Sequence, residues 1–232
     1  MTVMGAQTSA APDVASTEPL AADHPGVTEL YAVVAYGEIS AFYRLAEEAK
    51  LAPSLRGRVA VAKMAAAELA HFETLESALT ARGADPEASM AQYQGALDSY
   101  HASTDPSTWL ESMVKFYVGD GLAADFYSEI VGVLPAEVAD VVRDVLAETG
   151  HSQFVVDEVR SAVAASRSER DRLTLWGRRL LGEAITQAQY VMAQRDELAE
   201  LVLAATGDLN GIATLFDRMQ ERHAARMAEL GL

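Results

Sequence analysis

Cysteine is absent from all 232 residues. That excludes a disulfide scaffold, a thiolate zinc site, an iron–sulfur cluster and a cysteine nucleophile. Basic residues are scarce: 18 Lys and Arg stand against 34 Asp and Glu, a formal net charge of −16. Phosphate backbones and anionic lipid repel such a chain. No apolar run approaches the ~18 residues needed to span a bilayer, so no membrane partner is expected. Residues 1–25 hold no Lys or Arg and no continuous apolar stretch, and a signal peptide needs both. Ala, Ser, Thr and Pro dominate there. We read 1–25 as a disordered leader, 26–232 as one helical domain, and the location as cytoplasmic.

What is abundant is apolar surface, which makes up half of the chain and suffices for a sizeable core. After Pro25, apolar residues recur at i, i+3, i+4 and i+7, with no sustained period of two. The pattern predicts six main helices near 27–50, 55–82, 106–132, 135–165, 168–204 and 208–230. Pro53 and Pro135 fall at two breaks, and Ser54 and Ser107 suit N-terminal caps. Residues 83–105 read as a long connection. The expected fold class is all-α: a four-helix bundle with two additional C-terminal helices.

The two halves echo each other. YGEISAFYRL (36–45) precedes AAELAHFETL (66–75), and VGDGLAADFY (118–127) precedes LAETGHSQFV (146–155). Each half offers an acid first and Glu-x-x-His second: Glu38 with Glu68 and His71, then Asp120 with Glu148 and His151. On a helix, i and i+3 share one face, where two side chains can hold one metal. Asp98 and His101 repeat the spacing as a decoy.

The distances from the turns carry more weight. Glu38 and Glu68 each lie 15 residues from Pro53. Asp120 and Glu148 each lie 14 residues from position 134. In antiparallel hairpins, residues equidistant from the turn stand at one height, here about 21–23 Å away. Each acid also interrupts an apolar stripe. Glu38 stands among Val34, Ala35, Ala41 and Phe42, and Glu68 among Met64, Ala65 and Phe72. Asp120 stands among Phe116, Ala123 and Ala124, and Glu148 among Val141, Val145, Val155 and Val159. Burying an ionised carboxylate costs several kcal/mol unless it is paired. Only eight basic residues precede position 151, and none recurs opposite these acids. Two divalent ions would balance four carboxylates. Glu47 and Glu129, nine residues beyond Glu38 and Asp120, read as solvated charges. Gly37, Gly119, Gly121 and Gly150 flank the candidate ligands, which indicates close helix approach or a local bulge.

This constellation resembles the ferritin-like superfamily of di-iron carboxylate proteins. Within it, the chain is most similar to tRNA hydroxylases acting on 2-methylthio-isopentenyl-adenosine and to related actinobacterial proteins. The usual third-helix ligand is Glu, and here Asp120 would replace it. The resemblance implies that Glu68 and Glu148 bridge two irons, that Glu38 and His71 complete one, and that Asp120 and His151 complete the other. Manganese is the alternative metal. It further implies a dioxygen-dependent hydroxylase fed by an external electron donor. Small residues on the stripes, Ala41, Ala65, Ala123 and Ala124, fit either an apolar pocket for a substrate group or tight helix packing.

Other readings compete. One is a ferroxidase or another ferritin-like metal protein without an organic substrate. Another is an acidic bundle whose buried acids meet arginines. A third is a radical cofactor at Tyr36, Tyr43, Tyr117 or Tyr127. The one basic patch that a tRNA backbone would find is Arg160, Arg167, Arg170, Arg172, Arg178 and Arg179. His24, His101, His223 and Arg226 read as surface residues. The two extra helices would cover the site or build a homodimer interface.

Overall fold

The fold is a computed structural model that describes residues 19–147 and 152–232. It begins with a helical hairpin, α1 (Pro25–Leu51) and α2 (Leu55–Ala81). Pro25 opens α1, and His24 Nδ1 accepts from the Gly26 N–H at 3.0 Å. Ser54 caps α2 by accepting from the Gly57 N–H at 3.0 Å. A link of three residues leaves the two helices no arrangement but antiparallel neighbours. They pack along one another through Val27, Leu30, Val34 and Leu45 on α1 and Val61, Met64, Leu75 and Leu79 on α2, all buried. Leu20, Ala22 and His24, ahead of α1, are tied down. Leu20 N–H donates to the Val133 carbonyl, and Arg82 donates to the Ala22 and His24 carbonyls.

The 83–105 stretch is more structured than expected. It contains α3 (Pro86–Ser103), which packs on α1. Its signals are local. Gly83 sits at φ +74°, a conformation that ends α2. Asp85 caps α3 through the Ala88 N–H, and Pro86 supplies a preset φ at the first turn.

The second half starts with α4 (Trp109–Ile130), a short 3-10 turn at 131–133 and α5 (Ala136–Val145). The α4 cap is Thr108, one residue after Ser107. Thr108 Oγ1 accepts from the Glu111 N–H, and the Glu111 carboxylate accepts from the Ser107 N–H at 2.7 Å. That is a capping box displaced by one position. The expected single helix over 135–165 is interrupted: α5 ends at Val145, Leu146 and Ala147 are not helical, and α6 runs Ser152–Ala165. Helix propensity in this stretch is lowest around Thr149 and Gly150.

The expected helix 168–204 is also two helices, α7 (Arg167–Gln194) and α8 (Asp196–Thr206), followed by α9 (Leu209–Leu230). Arg195 stands between them in extended backbone, and its guanidinium holds Glu29 of α1 at 2.8 and 3.0 Å. A tertiary ion pair thus sets a break that no proline or glycine signals.

The described residues form an all-α bundle in which the α1–α2 hairpin packs on α3, α8 and α4, and α4 packs on α6, α7 and α9. One apolar cluster runs through every α-helix. Among the described residues, no single helix is long and apolar enough to cross a membrane.

Candidate metal centre

Glu38 comes from α1, and Glu68 and His71 come from α2. The hairpin brings the three together with ligand atoms within 4.8 Å of one another. His71 Nδ1 lies 3.3 Å from Glu38 Oε2 and 4.0 Å from Glu68 Oε2. The carboxylates are 12 % and 13 % exposed, so both stand largely out of water. Burial pushes the Glu38 carboxyl up to about 7, aided by the Asp120 charge. Burial and the neighbouring Glu38 push Glu68 up to about 9. The pair therefore shares a proton at neutral pH. Among the described residues, neither acid has an Arg or Lys ion-pair partner within 4.0 Å. A divalent cation would replace the shared proton and satisfy both oxygens and the imidazole nitrogen. Buried, unpaired carboxylates beside a histidine fit such an ion.

Asp120 of α4 lines the same cavity, and its charge reaches Glu38, although the residue is exposed. Glu148 and His151 lie outside the described residues, as does Gly150.

The cavity is about 550 Å³. Its apolar wall includes Ala41, Ala123 and Ala124, three of the small residues marked in the sequence, whereas Ala65 is buried in the core. Gly121 also lines it, for a specific reason. A Cβ there would stand 2.0 Å from Arg226 Nε. Arg226 crosses α4 at this notch and reaches Asp125 at 2.9 Å. The Arg226 and His223 assignments to the surface are thus corrected. Arg226 lines the cavity, and His223 is 4 % exposed in the core. Glu129 is corrected too, since it pairs with Arg222 at 2.8 Å and with Arg218.

The assignment of His101 to the surface is corrected as well. The residue is largely buried, lines the cavity, and burial with the Lys115 and Arg44 charges drives its pKa down to about 3. Arg44 and Lys115 line the cavity as well. No periodic pattern marks these three. Asp98, the decoy partner of His101, instead accepts from the Tyr36 hydroxyl at 2.8 Å. Tyr117 donates to Glu229 at 2.7 Å and Tyr43 to Ser40 at 3.3 Å, ordinary partners for helical tyrosines.

A buried glutamate pair with histidine, on the first two helices of a ferritin-like bundle, defines a class of helical proteins built to hold metal between helices. The chain belongs to the ferritin-like domain family of actinomycetes, whose family model matches residues 22–205. A comparison with curated proteins finds no match. The tRNA-hydroxylase likeness gains nothing from these comparisons.

Proposed function

We propose that the chain is a dimetal carboxylate protein that uses dioxygen to oxygenate an organic substrate. Its ligands would be Glu38, Glu68, His71, Asp120, Glu148 and His151, holding two iron ions, with manganese as the alternative. The observation that carries the reading is the Glu38–Glu68–His71 group, a buried pair of acids with no Arg or Lys within 4.0 Å among the described residues. When bound, the metals supply electrons to dioxygen, and an external donor restores them.

The chain's own residues do the rest. Glu38 and Glu68 give up their shared proton as a cation arrives, so binding releases protons. Ala41, Gly119, Ala123 and Ala124 keep space beside the acids, and Phe116 and Tyr127 exclude water from it. A cavity of about 550 Å³ falls in the size range of small-molecule sites and exceeds what metal ions alone require. The exposed Asp120 favours a second reading, a ferroxidase, because it offers ferrous ions an acidic approach from solvent.

tRNA remains an arm of the test. Arg160 donates to the Glu229 carbonyl, Arg170 to the Val163 carbonyl, and Arg172 to Glu169 and Thr108. Arg167 also lies 3.9 Å from Asp171, so four of the six arginines of the basic patch are engaged by the chain itself, which favours the intramolecular reading of those arginines.

The decisive experiment titrates the metal-free protein anaerobically with ferrous iron and counts bound metal. Two ions per chain are expected, with affinity falling by roughly 100-fold in Glu68→Ala. Unchanged stoichiometry and affinity in that variant would overturn the site. Admitting oxygen then separates the functions. Rapid turnover of excess ferrous iron into mineral would favour the ferroxidase. Salt-dependent tRNA binding, if present, restores the tRNA substrate.

A further inference from the structure

The cavity has a second charged region besides the acids. Arg44 of α1, His101 of α3 and Lys115 of α4 all line it. Lys115 is 5 % exposed, and its ammonium donates to the Thr104 carbonyl at 2.7 Å. Arg44 Nε and His101 Nδ1 are buried atoms without a hydrogen-bond partner. Burial and the Arg44 charge push the Lys115 ammonium down to about 8, against the opposing charges of Asp105 and Glu48. Among the described residues, neither carboxylate comes within 4.0 Å of Lys115 or Arg44. In a chain of net charge −16, two cations and a histidine gathered in one cavity call for an anion.

A smaller chamber of about 210 Å³ adjoins the cavity, among α1, α3, α4, α7, α8 and α9. Its far wall is apolar: Ala184, Ala188, Val191, Met192, Leu198 and Met219. The two spaces share Val33, Leu97, Tyr100, Gly119, Ala123 and Tyr127. Tyr100 is the junction. The Lys115 ammonium lies 5.6 Å from its ring centre, and His101 meets it edge-on at 5.3 Å. Gly119 lines both spaces, and a Cβ there would meet nothing within 4 Å.

We propose that the cavity binds an apolar small molecule with one oxyanion head, a carboxylate or a phosphate monoester. Arg44, Lys115 and His101 take the head, and the chamber beyond Tyr100 and Leu97 takes the apolar body. The head's oxygens accept from the Arg44 guanidinium and from Lys115, which supplies charge-assisted hydrogen bonds in a water-poor site. The chamber contributes burial of apolar area. This deepens the oxygenase reading by naming its substrate class, and rests on that reading only for the fate of the bound molecule.

The test is calorimetry on the full-length, metal-free protein, with octanoate, octyl phosphate, octan-1-ol, octylamine, acetate and inorganic phosphate as probes. Octanoate or octyl phosphate is expected to bind saturably, about tenfold or more tighter than octan-1-ol and octylamine. The stronger of the two identifies the head. Acetate and inorganic phosphate should bind at least about tenfold more weakly than their octyl counterparts. Lys115→Met and Arg44→Gln should each cost roughly tenfold for the anionic probes and leave octan-1-ol unchanged. Octan-1-ol binding as tightly as both anions, or both variants binding the anions as wild type, would overturn the proposal. Circular dichroism checks that the variants fold, and the wild-type comparison among probes decides even where one does not. Glu68→Ala should lose metal while still binding the anionic probe, so failure of the metal centre and failure of this site read differently.

Discussion

Helix α4 and its neighbours treat acids in two opposite ways. Toward α9, Asp125 and Glu129 are both 11 % exposed on their side chains, and each is met by arginine. Arg226 and Arg222 answer Asp125, and Arg222 and Arg218 answer Glu129. Toward the α1–α2 hairpin, Glu38 and Glu68 are buried to a similar degree, and among the described residues they meet each other and His71 but no Arg or Lys within 4.0 Å. Equal burial with unequal pairing sets the two regions apart. The α9 side has fixed countercharges, and on the proposed reading a bound cation would supply them on the hairpin side.

The comparison can be broken most strongly on the paired side. Arg226→Ala should destabilise the protein by about 3 kcal/mol, because it strips Asp125 of its nearest countercharge in a largely buried place. Urea unfolding at neutral pH measures it. Gly121→Ala should cost about 1–2 kcal/mol by displacing the Arg226 guanidinium from the notch, and should do little once Arg226 is already alanine. A double-mutant cycle checks that coupling.

On the unpaired side the sign reverses. The folded metal-free protein keeps protons on Glu38 and Glu68 that the unfolded chain has lost, so its stability should fall as pH rises from about 5 toward 9. Glu68→Gln removes one of these titrations and should stabilise the metal-free protein at pH 8 by about 1–2 kcal/mol. Loading with metal should flatten the pH dependence in the wild type, followed by thermal unfolding across pH. The smallest effect is expected at the exposed pair Arg143 and Asp140: Arg143→Ala should change stability by about 0.5 kcal/mol or less.

The hairpin site was legible because two regularities coincide in the chain. Glu38 and Glu68 lie at equal distance from Pro53, and each breaks an apolar stripe of helical period. The same reasoning placed Asp120 in the cavity, where it is more exposed than an interrupted apolar stripe suggests. The α3 helix was readable in principle: Gly83, Asp85 and Pro86 form a stop, a cap and a start in four residues. The break at Arg195 was not, since Glu29, 166 residues earlier, holds it. Arg44, His101 and Lys115 come from three helices and share no spacing. Charged residues at unremarkable positions become a site only when the fold gathers them.

The Gly121 notch has a bearing on kinship as well as on packing. Arg226 and Glu229 form part of the cavity wall, yet α9, which carries them, lies beyond the residues that the family model matches. The acids thus sit on the shared scaffold, and one wall of their chamber is contributed by a segment outside it. On the proposed reading, a relative that kept the scaffold and changed that last helix would hold the same ions and admit different molecules, with no change at a single proposed ligand.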